Sequence, residues 1–315
     1  MSLERIGDTR LVPLRHLVPE GSARVLLKLE YENPTGSMKD RMALAMVEAA
    51  ERDGRLRPGG SVVEYTGGST GVSLAFVCAA KGIPLRIVTS EAFSREKRCH
   101  MAALGAHLTL VGSPTGGTTK ALTLEMIETA RKLAAAPGSC WTDQLNNRDP
   151  LAAYERMGAE IRQQTDGRVD AFVQSVGTCA SLRGVAADLR AHAPGVHIVA
   201  VEPAESAVLS GGTTGSHQIE GTGAGFVVPL WEDGVADEIL PVSTEEAMTT
   251  ARLVARREGI FAGTSTGANV AAALRVAERL GAGRTVVTVA VDSGMKYLST
   301  DLYRADDRPA ETERR

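Results

Sequence analysis

Lys39 is the residue in this sequence best placed to do covalent chemistry. It follows the turn-forming residues Asn33, Pro34 and Gly36, and a helical pattern begins beside it, with Ser37 as a suitable N-cap. A lysine in the first turn of a helix opposes the helix dipole, which disfavours its charged form. Because a neutral amine is the form that makes a Schiff base, the segment predicts a nucleophilic lysine. The alternative is a solvated lysine at a helix start.

A second candidate is the glycine-rich segment 64–71, which lies between a predicted strand and a predicted helix. Its glycines allow a ligand to approach the backbone closely. Thr66, Ser69 and Thr70, together with exposed N–H groups, could hold a carboxylate or a phosphate. The alternative is a tight turn in which one hydroxyl caps the following helix.

Two more loops precede predicted helices, and the first of them follows a predicted strand. Gly177, Thr178 and Ser181 would suit a phosphate, which the helix N-terminus also favours. The absence of a Walker lysine argues against a nucleoside triphosphate there. Ser265 lies before another helix, where its hydroxyl could be an N-cap or could face a ligand. The simpler interpretation of both loops is a capped turn.

Predicted strands alternate with predicted helices along the chain. The strands are 24–29, 61–65, 85–89, 107–111, 169–175, 197–202 and 285–291, and the helices lie near 38–53, 70–81, 94–104, 118–135, 150–164, 180–192, 244–258 and 267–280. This alternation predicts an α/β fold with largely parallel sheets. Ligands of such sheets bind at the carboxyl ends of the strands, in the loops that lead to helices. The glycine-rich segment 203–243 is expected to form a wall of the site.

Composition limits the classes of function. The 315 residues are 43% hydrophobic and 23% charged, with a formal net charge of −3, so we expect neither a nucleic-acid partner nor membrane association. The six histidines have no metal-ligand spacing, and no metal site is expected. The four cysteines form no CxxC pair, and no secretion signal is evident, so we expect a cytoplasmic location.

Several ordered motifs together resemble one known family. They are NPTGSMKDR at 33–41, the segments 94–106 and 144–147, GTGAGF at 221–226 and GIFAGTSTGA at 259–268. They resemble the cysteine synthase (O-acetylserine sulfhydrylase) and cystathionine β-synthase family of fold-type II pyridoxal-phosphate enzymes. The resemblance runs from Ile6 to Thr300, nearly the whole chain.

The resemblance implies pyridoxal 5'-phosphate as cofactor and assigns roles to residues. Lys39 would form the Schiff base, and Ser265 would face the pyridine nitrogen. The cofactor phosphate would be held by Gly177, Thr178, Cys179, Ala180 and Ser181. The substrate carboxylate would be held by Thr66, Gly67, Gly68, Ser69, Thr70 and Gln144, of which Ser69 would also contact the cofactor.

The sequence departs from the family pattern at three places. Ser69 occupies the position of an asparagine that contacts the cofactor. Cys179 and Ala180 replace glycines, so the backbone there must avoid positive φ or accept strain. Tyr154 lies near a position where many relatives have a histidine. These departures bear on the substrate more than on the cofactor.

The resemblance implies two α/β domains with twisted, mostly parallel sheets. Residues 35–148 would form a smaller, mobile domain, and residues 9–34 and 149–303 a larger, cofactor-binding domain, followed by a charged tail at 304–315. A homodimer is expected from the resemblance alone. The implied reaction is β-replacement on an L-serine derivative, in which sulfide, a thiol or another small nucleophile displaces the leaving group.

Three other functions stay open at this point. One is net β-elimination by the same cofactor, giving a keto acid and ammonia. Another is a serine hydrolase, because residues 67–71 match G-x-S-x-G around Ser69, with His192, His197 or His217 as the base. The third is a relative that binds ligands without catalysis, against which the retention of Lys39 argues.

Overall fold

The chain folds around two separate sheets in a computed structural model that describes residues 3–113 and 119–304. The strands are β1 Leu11–Pro13, β2 Arg24–Lys28, β3 Ser61–Tyr65, β4 Leu85–Ser90, β5 His107–Val111, β6 Ser139–Trp141, β7 Ala171–Ser175, β8 His197–Pro203, β9 Glu238–Val242 and β10 Thr285–Val289. The helices are α1 Lys39–Arg52, α2 Ser69–Lys81, α3 Arg95–Ala103, α4 Lys120–Ala134, α5 Pro150–Gln164, α6 Ala180–His192, α7 Thr244–Leu253 and α8 Thr264–Leu280.

The larger sheet has six strands in the order β1-β2-β10-β7-β8-β9, and the smaller has four in the order β5-β4-β3-β6. All neighbouring strands are parallel except β1 and β2. Strands β7 and β10 are buried along their whole length, as expected for central strands of a parallel sheet that is covered on both faces. The mixed α/β architecture predicted from the alternation of elements is therefore confirmed.

The predicted elements were found, with two kinds of difference. All seven predicted strands exist within a few residues of their expected ends, but β1, β6 and β9 were missed. Strands β1 and β6 have only three residues each, too few to show an alternation of apolar and polar residues. Strand β9 lies in the glycine-rich segment and contains Pro241, which disfavours a strand prediction. The helix expected over 244–258 ends as α7 at Leu253 and continues as a π-helical segment, Val254–Glu258.

One apolar core joins the two sheets. It includes residues of β3 and β4 in the smaller sheet, of β7 and β10 in the larger sheet, and of α1 and α5 between them. A second core fills the other face of the larger sheet beneath α7 and α8. The division into a domain at 35–148 and a domain at 9–34 and 149–303 stays a prediction. The tail predicted at 304–315 lies, beyond Arg304, outside the described residues, as does residue 118 of the predicted fourth helix.

Candidate active site

A cavity lies where the carboxyl ends of strands from both sheets face each other. Its volume is about 1040 Å³, including its opening to solvent. It brings together most of the residues singled out in the sequence: Lys39, Thr66, Gly67, Gly68, Ser69, Thr70, Gln144, Gly177, Thr178, Ser181 and Ser265. Cys179 and Ala180 are not among the residues that line the cavity.

Lys39 begins α1 and is held from several directions. Ser37 Oγ accepts a hydrogen bond from the Lys39 N–H at 3.2 Å, although Met38 occupies the N-cap position. Met38 is itself fixed, because its N–H donates to Val291 O at 3.0 Å and its carbonyl accepts from the hydroxyl of Tyr154 at 3.2 Å. Tyr154 thus supports the backbone next to the lysine.

The environment of Lys39 makes its ammonium easier to deprotonate. Burial lowers the pKa of its ammonium from 10.5 to about 8, Asp292 opposes this shift, and the charge of Lys97 adds to it. Burial, rather than the helix dipole invoked from the sequence, is therefore the main cause. The simpler interpretation, a solvated lysine at a helix start, is wrong.

The loop after β3 is shaped to present its backbone to a ligand. Gly68, with φ of 145°, occupies the N-cap position of α2, so Ser69 does not cap that helix. The N–H of Gly68 donates to Thr66 Oγ1 at 2.9 Å. Thr70 Oγ1 donates to Gln144 Oε1 at 2.8 Å, which ties the loop to the segment after β6. The hydroxyls of Thr66 and Thr70 and the side-chain amide of Gln144 therefore lie together at the cavity.

Glu64 connects the loop after β3 to the segment after β6 through hydrogen bonds. Its carboxylate is fully buried and accepts from the Thr142 hydroxyl at 2.6 Å, from Gln144 N at 3.0 Å and from Tyr65 N at 2.9 Å. Burial raises the pKa of Glu64 to about 7, and the three hydrogen bonds limit that rise. Gln144 in turn donates from Nε2 to Tyr65 O at 2.7 Å.

The loop after β7 forms a close-packed cradle at the start of α6. A Cβ on Gly177 would lie 2.3 Å from the carbonyl oxygen of Gly221, so only glycine fits. Ser181 Oγ accepts from Gln174 Nε2 at 2.8 Å. Cys179 has a positive φ of 73°. Of the two possibilities that the sequence left open, the backbone at Cys179 therefore accepts strain. Burial raises the pKa of its thiol to about 12, so Cys179 is a structural residue and not a nucleophile.

Ser265 lies in the first turn of α8 and is 2% exposed. Gly263 occupies the N-cap position, so the alternative role of Ser265 as a cap is wrong. One turn later, Asn269 Oδ1 accepts from Ser175 N at 2.7 Å, and its Nδ2 donates to Val289 O at 2.9 Å. This bridge between β7 and β10 fixes the helix that carries Ser265.

Three charged residues and a tyrosine that lie close together in the cavity were not singled out in the sequence. They are Lys97, Glu220, Asp292 and Tyr297. Lys97 pairs with Glu220 at 2.6 Å and lies 4.0 Å from Asp292 and 4.1 Å from the ring centre of Tyr297. All four lie in or beside segments that resemble the family, and this resemblance was the signal that could have identified them. Their side chains come together only in the folded chain.

The cavity does not contain the components of a serine hydrolase. Ser69 Oγ donates to Asp292 at 2.8 Å. Among the described residues, no histidine lines the cavity: His192 bonds to Asp188 O, and His197 bonds to Glu238. His217 is held by Gly223 O at 2.9 Å. The hydrolase hypothesis is therefore wrong.

The chain matches the family model described as pyridoxal-phosphate dependent enzyme over residues 3–292. It is 44% identical over 304 residues to the cysteine synthase of Staphylococcus aureus, and the match covers 96% of each chain. In the described part of the chain, the helices are too short or too polar to span a bilayer.

Solved structures of similar proteins superpose over nearly the whole chain. A cysteine synthase from Entamoeba histolytica has a TM-score of 0.90 at 38% identity, covering 98% of this chain and 92% of that one. An O-ureido-L-serine synthase also has a TM-score of 0.90, at 36% identity, covering 98% of this chain and 96% of that one.

Proposed function

Since the chain belongs to the pyridoxal-phosphate dependent enzyme family, we propose that it is a cysteine synthase-like enzyme that catalyses β-replacement on an L-serine derivative. The observation that carries this proposal is the convergence on one cavity of a lysine with a lowered pKa, a glycine cradle and a loop of hydroxyls. Similarity to both a cysteine synthase and an O-ureido-L-serine synthase supports the reaction type and leaves the choice of nucleophile to experiment.

The residues present fit the cofactor. The backbone of residues 177–181, with the hydroxyls of Thr178 and Ser181, would hold its phosphate at the N-terminus of α6. Gly221 O leaves no room for a Cβ at position 177, so this residue of the cradle can only be glycine. Ser265 would face the ring nitrogen as a neutral hydrogen-bonding group. When bound, pyridoxal phosphate supplies the electron sink for removing a proton and a leaving group from neighbouring carbons.

The other residues would bind the amino acid and move its protons. The loop at 66–70 and Gln144 would hold the substrate carboxylate through backbone N–H groups and the Gln144 amide. Lys39 would attach the cofactor covalently through Nζ. Once the amino group of the substrate has displaced Nζ from the cofactor, the free Lys39 amine, whose pKa is lowered to about 8, would be able to accept a proton from the substrate.

Three further properties belong to the same proposal. The smaller sheet with its helices would move toward the larger one when the carboxylate binds the 66–70 loop. The enzyme would act as a homodimer, as expected from the family resemblance. All four cysteines are unpaired, which supports a reducing, cytoplasmic compartment.

A substrate panel tests the proposal. Cofactor-loaded protein would be given O-acetylserine, O-phosphoserine, serine or cysteine, each with sulfide, homocysteine or no nucleophile. We expect a β-substituted amino acid to form with at least one pair, at a rate above that of keto acid. Keto acid and ammonia as the dominant products with every nucleophile would instead identify a β-eliminating lyase. Turnover of none of the pairs would contradict both.

A further inference from the structure

Gln174 places a neutral amide between two parts of the site described above. It belongs to β7, is 1% exposed and lines the cavity. Its Nε2 donates to Ser181 Oγ at 2.8 Å, in the first turn of α6. The same nitrogen lies 3.6 Å from Met38 Sδ, beside Lys39. One side chain therefore contacts both the cradle after β7 and the segment that precedes the lysine.

The two contacts define which way the amide faces. An amide has two N–H donors on its nitrogen, whereas its oxygen only accepts. In the observed orientation the donors meet the hydroxyl oxygen of Ser181 and the weakly accepting sulfur of Met38. The reverse orientation would put the carbonyl oxygen against that sulfur, where neither atom donates. Ser181 is therefore the acceptor in its hydrogen bond with Gln174.

This direction determines what Ser181 offers to a ligand. A hydroxyl has a single proton, and the bond with Gln174 uses only a lone pair of its oxygen. Within residues 3–113 and 119–304 the Ser181 hydroxyl makes no second hydrogen bond, so its proton is free for a ligand in the cavity. The oxygens of a phosphate dianion only accept, and each group that holds them must donate. Ser181 is thus held in the form that a phosphate requires.

The oxygen of the amide indicates which of its atoms the site uses. Gln174 Oε1 is buried and has no hydrogen-bond partner in the described part of the chain. A buried carbonyl oxygen without a partner is unfavourable. A methionine at this position would fill a similar space without that oxygen, but it would have no N–H to give to Ser181. The donors are therefore what glutamine contributes here.

We propose that Gln174 is a positioning residue that directs the hydroxyl proton of Ser181 toward the phosphate group of the cofactor. The contact with Met38 keeps the amide in the orientation that makes this possible. The inference rests on the proposed function, because it assumes that residues 177–181 hold the cofactor phosphate. It adds to the phosphate site a residue of the strand itself, outside the loop that the sequence identified.

Two ligands that differ only in the phosphate test this role by equilibrium dialysis with cofactor-free protein. They are pyridoxal 5'-phosphate and pyridoxal. We expect Gln174→Met to weaken binding of the first about 10-fold and to change binding of the second by less than about 2-fold. Gln174→Glu, whose carboxylate can only accept the Ser181 proton, should weaken pyridoxal 5'-phosphate binding further. Gln163→Met, on an exposed glutamine of α5, is the matched control.

A double-mutant cycle separates positioning from mere support of the fold. If Gln174 acts through Ser181, then Ser181→Ala combined with Gln174→Met should weaken pyridoxal 5'-phosphate binding no more than the stronger single change. Additive effects, or equal weakening of both ligands, would overturn the inference. Wild-type protein that prefers pyridoxal 5'-phosphate to pyridoxal but makes no product from any amino acid would contradict the proposed function and leave this inference standing.

Discussion

The lowered pKa of Lys39 gives a prediction in which two substitutions should act in opposite directions. Asp292 raises the pKa of Lys39 and Lys97 lowers it, while burial sets the main shift. Removing the negative charge by Asp292→Asn should therefore move the pKa below about 8. Removing the positive charge by Lys97→Met should move the pKa of Lys39 above about 8.

The size of the effect follows from the shift itself. The fall in pKa from 10.5 to about 8 corresponds to roughly 3 kcal/mol by which the site disfavours the ammonium form relative to water. At pH 7 the neutral fraction is then about 9%, compared with about 0.03% for an unperturbed lysine. The reactivity of Lys39 should thus rise with pH through a midpoint near 8, and not near 10.5.

The assay is competitive labelling of cofactor-free protein with a neutral acylating reagent, followed by mass spectrometry of the peptide that contains Lys39. Lys132, whose side chain is 74% exposed, serves as a reference for the reagent within the same sample. A Lys39 midpoint near 10 would refute the argument from burial. Shifts of the same sign in Asp292→Asn and Lys97→Met would refute the assignment of the two charges.

Three other substitutions test the remaining assignments. Lys39→Ala should abolish turnover and the borohydride-trappable link to the cofactor; trapping at normal yield would show that another residue forms it. Ser265→Ala should weaken cofactor affinity by about 0.5–1.5 kcal/mol, measured by equilibrium binding, and an unchanged affinity would remove Ser265 from the site. Ser69→Asn should shift the ratio of β-substituted amino acid to keto acid, because asparagine can donate to Asp292 and to the cavity at once. An unchanged ratio would mean that position 69 does not influence the product.

The sequence was sufficient to predict the helices, most of the strands and most of the loops that surround the cavity. Turn residues and hydrophobic periods act over a few positions, so the strand–loop–helix units around residues 64–71 and 175–184 could be recognised locally. The rule that ligands bind at the carboxyl ends of parallel strands then placed these loops at one site. The same local signals failed for β1 and β6, which have too few residues to show a period, and for β9, which contains a proline.

What only the tertiary structure decided is the electrostatics of the site. Ser69 and Asp292 lie 223 positions apart, and Lys97 and Glu220 lie 123 apart, so no local pattern could pair them. Whether Ser69 caps a helix, or offers the cavity its proton or only its lone pairs, depends on which atom takes that single proton. The pKa of Lys39 likewise depends on how completely packing removes water from its amine, which is a property of the assembled cavity and not of the segment that carries the lysine.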